Sequence, residues 1–322
     1  MPISLPEISK KVSTNDLANI FEKRYSEIVP IWIPLQVQWM NNVYRTYQDY
    51  EKFMIIMSLM TKTFEYYGQN FIKLDYDNFF NQSYVEIEKI NIIDISKELN
   101  IPKETARRKV KELEEIGVIK RTNKKVTIER DAWPHIQPKK TITRVSRFFS
   151  TLSKILYEEK KITRLFSSSE ISSTIKEYFS HVWKLYYDMQ MPMLLNYKKI
   201  AGDLESYHVW GICISNQTLH SAKSDNSHMS RDYYLDKYIF RENKDMLGIN
   251  AMSISDISGI PRATVIRKLN KLVKNNFLEI DKKKHYLTTG QHQDKLKIKQ
   301  KTNLLNLARF GSRIYNLVAY QK

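Results

Sequence analysis

Two stretches of the chain, 159 residues apart, carry the same pattern of apolar and polar positions. In the first, Ile95 and Leu99 stand four apart, the spacing of one face of a short helix. Asn100 supplies a turn, and Pro102 falls at or beside the start of a second helix, where its missing N–H is no loss. Ala106, Val110 and Leu113 then recur at i, i+4 and i+7, as Val265, Leu269 and Leu272 do in the second stretch, so each helix has one face for a core. Gly117 and Asn276 are the residues expected to close these helices in a left-handed conformation. The period next shifts to two: "VIKRTNKKVTIE" and "FLEIDKKKHYLTT" read as paired short strands around a Lys-rich turn. The pattern therefore predicts a helix, a tight turn, a helix and a β-hairpin, twice.

The repetition reaches the level of residues. Positions 93–128 align without a gap on 252–287, with ten identities in 36 positions. Ile95, Ser96, Ile101, Pro102, Thr105, Arg108, Lys109 and Leu113 face Ile254, Ser255, Ile260, Pro261, Thr264, Arg267, Lys268 and Leu272. Asn100 faces Gly259 and Gly117 faces Asn276, pairs of the residue types that best tolerate positive φ. Flanking blocks repeat in the same order: "DYEKFMIIMSLM" at 49–60 with "DLESYHVWGICI" at 203–214, and "SRFFSTLSKILYEEK" at 146–160 with "ARFGSRIYNLVAYQK" at 308–322. This divides the chain into a first module at 15–160 (paired helices 93–117, hairpin 118–129), a linker at 161–174 marked by "FSSSEISST", and a second module at 175–322 (paired helices 252–276, hairpin 277–289). The aromatic-rich helical regions at 32–67 and 176–210 are expected to form core and helix-to-helix interface. The apolar run "FMIIMSLM" at 53–60 should be a buried helix. Residues 216–250 are polar and longer than an ordinary connection, so they read as a loop with a short helix or strand at Tyr233–Phe240.

Composition narrows the chemistry. With 52 Lys and Arg against 35 Asp and Glu in 322 residues, the formal charge is +17, which calls for an anionic partner. A hydrophobic fraction of 42% with 20 Tyr and 13 Phe is enough for a packed core. The single cysteine, Cys213, excludes an internal disulfide framework and fits a reducing compartment. With no apolar leader at the N-terminus and no bilayer-length apolar run, a cytoplasmic location and no membrane partner are expected. His208, Cys213, His220 and His228 match no zinc spacing, so the histidines are expected to be structural, with no metal and no cofactor. Phosphate-cradling glycine loops, a Gly-x-Ser-x-Gly elbow and a Pro-Asp nuclease opening are all missing, and catalysis is not expected.

Packing Ala106, Val110 and Leu113 inward leaves Lys103, Glu104, Arg107, Arg108 and Lys111 on the exposed sides of the helix, which has the width of the DNA major groove. A helix-turn-helix followed by a hairpin resembles the winged helix-turn-helix family. The stretch "IPKETARRKVKELEEIGVI" is similar to recognition helices of the multiple-antibiotic-resistance regulator and catabolite-activator types. The catabolite-activator pattern implies base-edge positions at Lys103, Glu104 and Arg108, and at Arg262, Ala263 and Arg267 in the second copy, where Ala263 departs from the pattern. The full DNA-contacting set expected is Lys103, Glu104, Thr105, Arg107, Arg108, Lys111, Lys124 and Lys125, then Arg262, Thr264, Arg267, Lys268, Lys282, Lys283 and Lys284. The fold implied is mainly α with small β-hairpin wings: two tandem winged helix-turn-helix modules with flanking dimerisation-type helices, arranged as an intrachain pseudo-dimer. The function implied is a sequence-specific regulator of transcription binding double-stranded DNA as a monomer, with repression favoured because occlusion needs no further contacts. The regulator type also leaves room for a small-molecule effector, although no charged trap stands out for one. Two other readings stay open: a plasmid or phage replication initiator with two winged-helix domains, and a winged-helix adaptor that binds proteins in a chromosome complex.

Overall fold

A computed structural model describes residues 11–87, 91–122, 125–132, 136–224, 228–240 and 247–320. The protein is mainly helical with a few short antiparallel strands. Its first half contains α1 (Thr14–Lys23), α2 (Tyr25–Tyr47), α3 (Tyr50–Gln69), α4 (Tyr76–Phe80), β1 (Tyr84–Ile87), α5 (Ile92–Leu99), α6 (Lys103–Glu115), β2 (Lys120–Thr122), β3 (Lys125–Glu129) and α7 (Lys139–Glu158). The second contains α8 (Ser168–Glu177), α9 (Phe179–Ala201), α10 (Leu204–Ser224), α11 (Arg231–Tyr234) running into a π-helical turn at Leu235–Phe240, α12 (Ala251–Ser258), α13 (Arg262–Lys274), β4 (Leu278–Ile280), β5 (Tyr286–Thr288) and α14 (Gln293–Tyr320).

The halves match element by element, and at an offset of 154 the match extends through α1, α2 and α3 onto α8, α9 and α10. Ser13 and Ser167 cap the first helix of each half. Gln48 and Gly202 both take positive φ, at 50° and 87°, and turn the chain from the second helix into the third. Ser167 and Glu170 form a reciprocal capping box, the Ser-x-x-Glu signature of a helix start. Residues 168–174, read as linker from their serines, are therefore helical, and the connection between α7 and α8 is only 159–167. Within 216–250, residues 225–227 and 241–246 lie outside the described residues. Residues 216–224 complete α10, and the element anticipated at Tyr233–Phe240 is helical.

The long helices interlock across the two halves in reciprocal pairs. α2 lies against α10 while α3 lies against α9; α1 lies against α14 while α8 lies against α7. Each half thus offers the other the same surfaces it receives, as in an interface related by a two-fold axis. Aromatic side chains fill these seams: Trp39 meets Tyr186 edge-on at 6.1 Å between ring centroids, and Phe149 meets Phe310 at 5.5 Å. The Tyr315 hydroxyl donates to the Phe149 carbonyl at 2.6 Å. Apolar side chains from both halves belong to one continuous core, including the 53–60 run inside α3. Each such side chain buried in full contributes about 1.5 to 3 kcal/mol, which is what holds two halves with so few strands together. His208 is entirely inside this core, its Nδ1 2.5 Å from the Tyr50 hydroxyl and its Nε2 2.7 Å from Asn41 Oδ1. Burial pushes its pKa down to about 3, so the ring is neutral and structural.

The hairpins differ in support. β3 pairs antiparallel with β2 and also with β1, giving the order β1-β3-β2, with Val85 opposite Ile128 and Arg121 opposite Val126. β4 and β5 pair with Leu278 opposite Thr288, and among the described residues Ile249 forms an isolated antiparallel bridge with Tyr286 on the side where β3 meets β1 in the first half.

Candidate nucleic-acid interface

The repeated turn is built by the same bonds in both copies. Asn100 (φ 49°) and Gly259 (φ 76°) end α5 and α12 in the left-handed region. The hydroxyls of Ser96 and Ser255 donate to the carbonyls of Ile101 and Ile260, each at 2.7 Å, tying the first helix across the turn. Pro102 and Pro261 stand at the N-caps of α6 and α13, whose inner faces bury Ala106, Val110 and Leu113, and Val265, Leu269 and Leu272. Gly117 (φ 73°) and Asn276 (φ 57°) then lead into the hairpins.

With the inner face so fixed, Lys103, Glu104, Arg107, Arg108 and Lys111 are exposed along α6, with Arg262, Ala263, Ile266 and Arg267 at the matching places on α13. Thr105 and Thr264 are half-buried at the edges. The two exposed faces are electrically unlike. α6 carries five basic and four acidic side chains, a net +1, and pairs them internally: Arg107 with Glu104 at 2.8 Å, Arg108 with Glu112 at 3.7 Å and Lys111 with Glu115 at 3.6 Å. α13 carries five basic side chains and no acidic one; Lys268 and Lys271 are held by Asp203 of α10, and Arg262, Arg267 and Lys274 are its exposed cations.

The second hairpin presents Lys282, Lys283 and Lys284 to solvent. Asp281 holds the turn open to them by accepting the N–H groups of Lys283 and His285, both at 2.8 Å, while Lys284 takes φ 61°. In the first hairpin Lys124 lies outside the described residues, and Lys125 is placed only through its backbone at the start of β3. Arg121 in β2 is drawn back to Glu114 at 2.9 Å.

Lys268 is corrected by the structure. It turns inward, 2.7 Å from Asp203 and 3.6 Å from Glu205, and is not on the outer face. Its counterpart Lys109 does the same, 2.6 Å from Asp49 and 3.1 Å from Glu112. The two aspartates are themselves equivalent. Asp49 caps α3 by accepting the Glu51 N–H at 2.8 Å, and Asp203 opens α10 by accepting that of Ser206 at 2.7 Å. Burial alone would raise the Asp203 carboxyl, but hydrogen bonds from Lys268 and Lys271 hold it well below the usual carboxylate range. Glu112 is depressed in the same way, Lys52 and Lys109 outweighing its burial. Each exposed helix is thereby bolted through its inner edge to the interlocked scaffold. The signal was in the sequence: Asp49 repeats as Asp203 and Lys109 as Lys268.

A second pair of anchors crosses between halves. Lys198, on α9, donates to the carbonyls of Leu99 and Asn100 at the end of α5, at 3.2 and 3.4 Å. Arg45, on α2, donates to that of Ile257 near the end of α12 at 3.2 Å. A cation at a helix C-terminus meets unsatisfied carbonyls and the negative end of the helix dipole. So each half's first motif helix is capped by the other half.

No family model, curated protein or solved structure matches the chain. Among the described residues no helix is long and apolar enough to cross a membrane, and no three His, Cys, Asp or Glu side chains gather as a metal site would require.

Proposed function

We propose that the chain binds double-stranded DNA sequence-specifically through two winged helix-turn-helix motifs that act as an intrachain pseudo-dimer, and that it regulates transcription by occluding its site. α6 and α13 are the recognition helices; the hairpins are the wings. One observation carries the reading: two equivalent helices with exposed cations stand on scaffolds that interlock reciprocally, in a chain of net charge +17. A helix of this kind fits the major groove with Arg reaching guanine edges, while wing lysines contact phosphates without regard to sequence. Two readers fixed in one chain place their half-sites about one turn of DNA apart, in an imperfect palindrome.

The test is to select duplexes from a random pool with the full chain and titrate the winners against salt. A consensus with two related half-sites, one chain per site, and affinity falling steeply with salt are expected, because each neutralised phosphate releases counterions. Binding that is weak and insensitive to salt would overturn DNA recognition and favour a protein partner.

A further inference from the structure

At the centre of α13's outer face stands Ile266, 37% exposed, with Ala263 one turn away and exposed beside it. Residues three apart on a helix share a face, so the two make one apolar spot, flanked by the exposed cations Arg262 and Arg267. The equivalent places on α6 hold Glu104 and Arg107, bonded to each other from Arg107 Nε at 2.9 Å. A lone exposed isoleucine on a solvated face needs no explanation. An apolar pair replacing a salt bridge at the middle of a face that is otherwise cationic calls for a ligand that is both anionic and locally apolar.

Duplex DNA is such a ligand. In the major groove the only apolar group among the base edges is the thymine C5-methyl, and small aliphatic side chains are its usual contact. Resting on the DNA-binding reading above, we infer that Ile266, with Ala263 beside it, reads a thymine methyl in the half-site of the second copy, and that the half-site of the first copy carries no equivalent methyl contact. The two half-sites then differ in kind. The second is recognised by an aliphatic contact between cationic ones. The first is recognised by polar side chains that must exchange the Glu104–Arg107 bond for bonds to bases. The outward cations of the second copy, Arg262, Arg267 and Lys274, meet no acidic side chain on their own helix, whereas those of α6 are paired within it.

The experiment uses the full chain and its best selected duplex, with each thymine replaced singly by deoxyuridine, which removes only the methyl. One or two replacements, confined to one half-site, should weaken binding about fourfold, the worth of one buried methyl-sized group. Ile266→Ala should bind the thymine and deoxyuridine duplexes alike at those positions and keep the salt slope of the parent chain. The residue is exposed, so folding is spared; thermal melting of the variant checks this directly. Indifference to every deoxyuridine, or a methyl effect that survives in Ile266→Ala, would overturn the inference and leave salt-dependent duplex binding standing. Absence of salt-dependent duplex binding would overturn the DNA-binding reading, and the inference with it.

Discussion

Lys109 and Lys268 occupy the same place in the two copies and bond the same partner, the aspartate that opens the third helix of each half. Two positions earlier, Arg107 and Ile266 also occupy the same place and share no chemistry at all. The same division runs through the whole motif. Inner-edge features coincide: the serine bonds across the turn, the left-handed residues and the aspartate–lysine pairs. The outer faces diverge, from a helix whose cations are paired with its own acids to one whose outward cations, Arg262, Arg267 and Lys274, have no acid on the same helix. The constraint lies on the buried side. A buried position answers to its neighbours in a packed core, whereas an exposed one answers only to water or to a ligand. A fused pair can therefore hold two unlike outer faces on like scaffolds, which a homodimer of identical chains cannot.

The largest effects are expected in the shared core. Leu113→Ala and Leu272→Ala, at matched and fully buried places, should each lower the free energy of unfolding by about 2 to 5 kcal/mol, measured by denaturant titration of the circular dichroism signal. Both should act on a single transition, because one core joins the halves; two separate transitions would show that the copies fold independently. Next comes the inner ion pair. Asp203→Ala removes a helix cap and a carboxylate that Lys268 and Lys271 share, and should cost about 2 to 3 kcal/mol. Asp49→Ala should cost less, since Lys109 keeps Glu112. Because the folded-state pKa of Asp203 is depressed, its contribution is complete above the ordinary carboxylate range and is lost as the pH falls through and below it. Asp203→Asn should accordingly flatten the acid limb of the stability curve, and an unchanged limb would contradict the pairing.

The outer faces are sharpened by binding measurements. Arg267→Ala should weaken specific binding by about 1 to 3 kcal/mol and relax preference in one half-site, with Arg108→Ala acting on the other; Lys283→Ala should weaken all duplexes alike. Equal losses on specific and random DNA for the arginine variants would mean that they touch only phosphates. The smallest effect is expected from Glu104→Gln, which frees Arg107 from an exposed pair and removes a repulsive charge. It should tighten binding to random duplexes by less than about 1 kcal/mol, read in a salt titration as a slightly steeper slope.

Much of the motif was legible in the sequence because its causes are local. The i, i+4, i+7 spacing, the prolines at the helix starts, and the residues at 100, 117, 259 and 276 that accept positive φ each act within a few positions of themselves. The capping box at Ser167 was equally local but was hidden by a serine-rich composition that reads as linker, and the four-residue β1 was too short to show a period. Lys268 was misplaced for another reason. It sits at the boundary between the faces of α13, where a helical wheel leaves both directions open, and its partner Asp203 lies 65 residues back along the chain.

By itself, then, the sequence determined the repeated elements, their turns, which side of each helix faces a core, and the surplus of positive charge, since all of these follow from intrinsic conformational preference, periodicity and composition. Only the tertiary structure decided which helix covers which: that α2 and α3 exchange partners with α9 and α10, that Lys198 and Arg45 cap helices in the opposite half, and that two cations of equal formal charge point one inward and one outward. The physical reason is that burial is nondirectional and an ion pair is indifferent to separation along the chain. An apolar face specifies that it must be covered and a lysine that it can be paired, but the partner is chosen by the packing of the whole molecule.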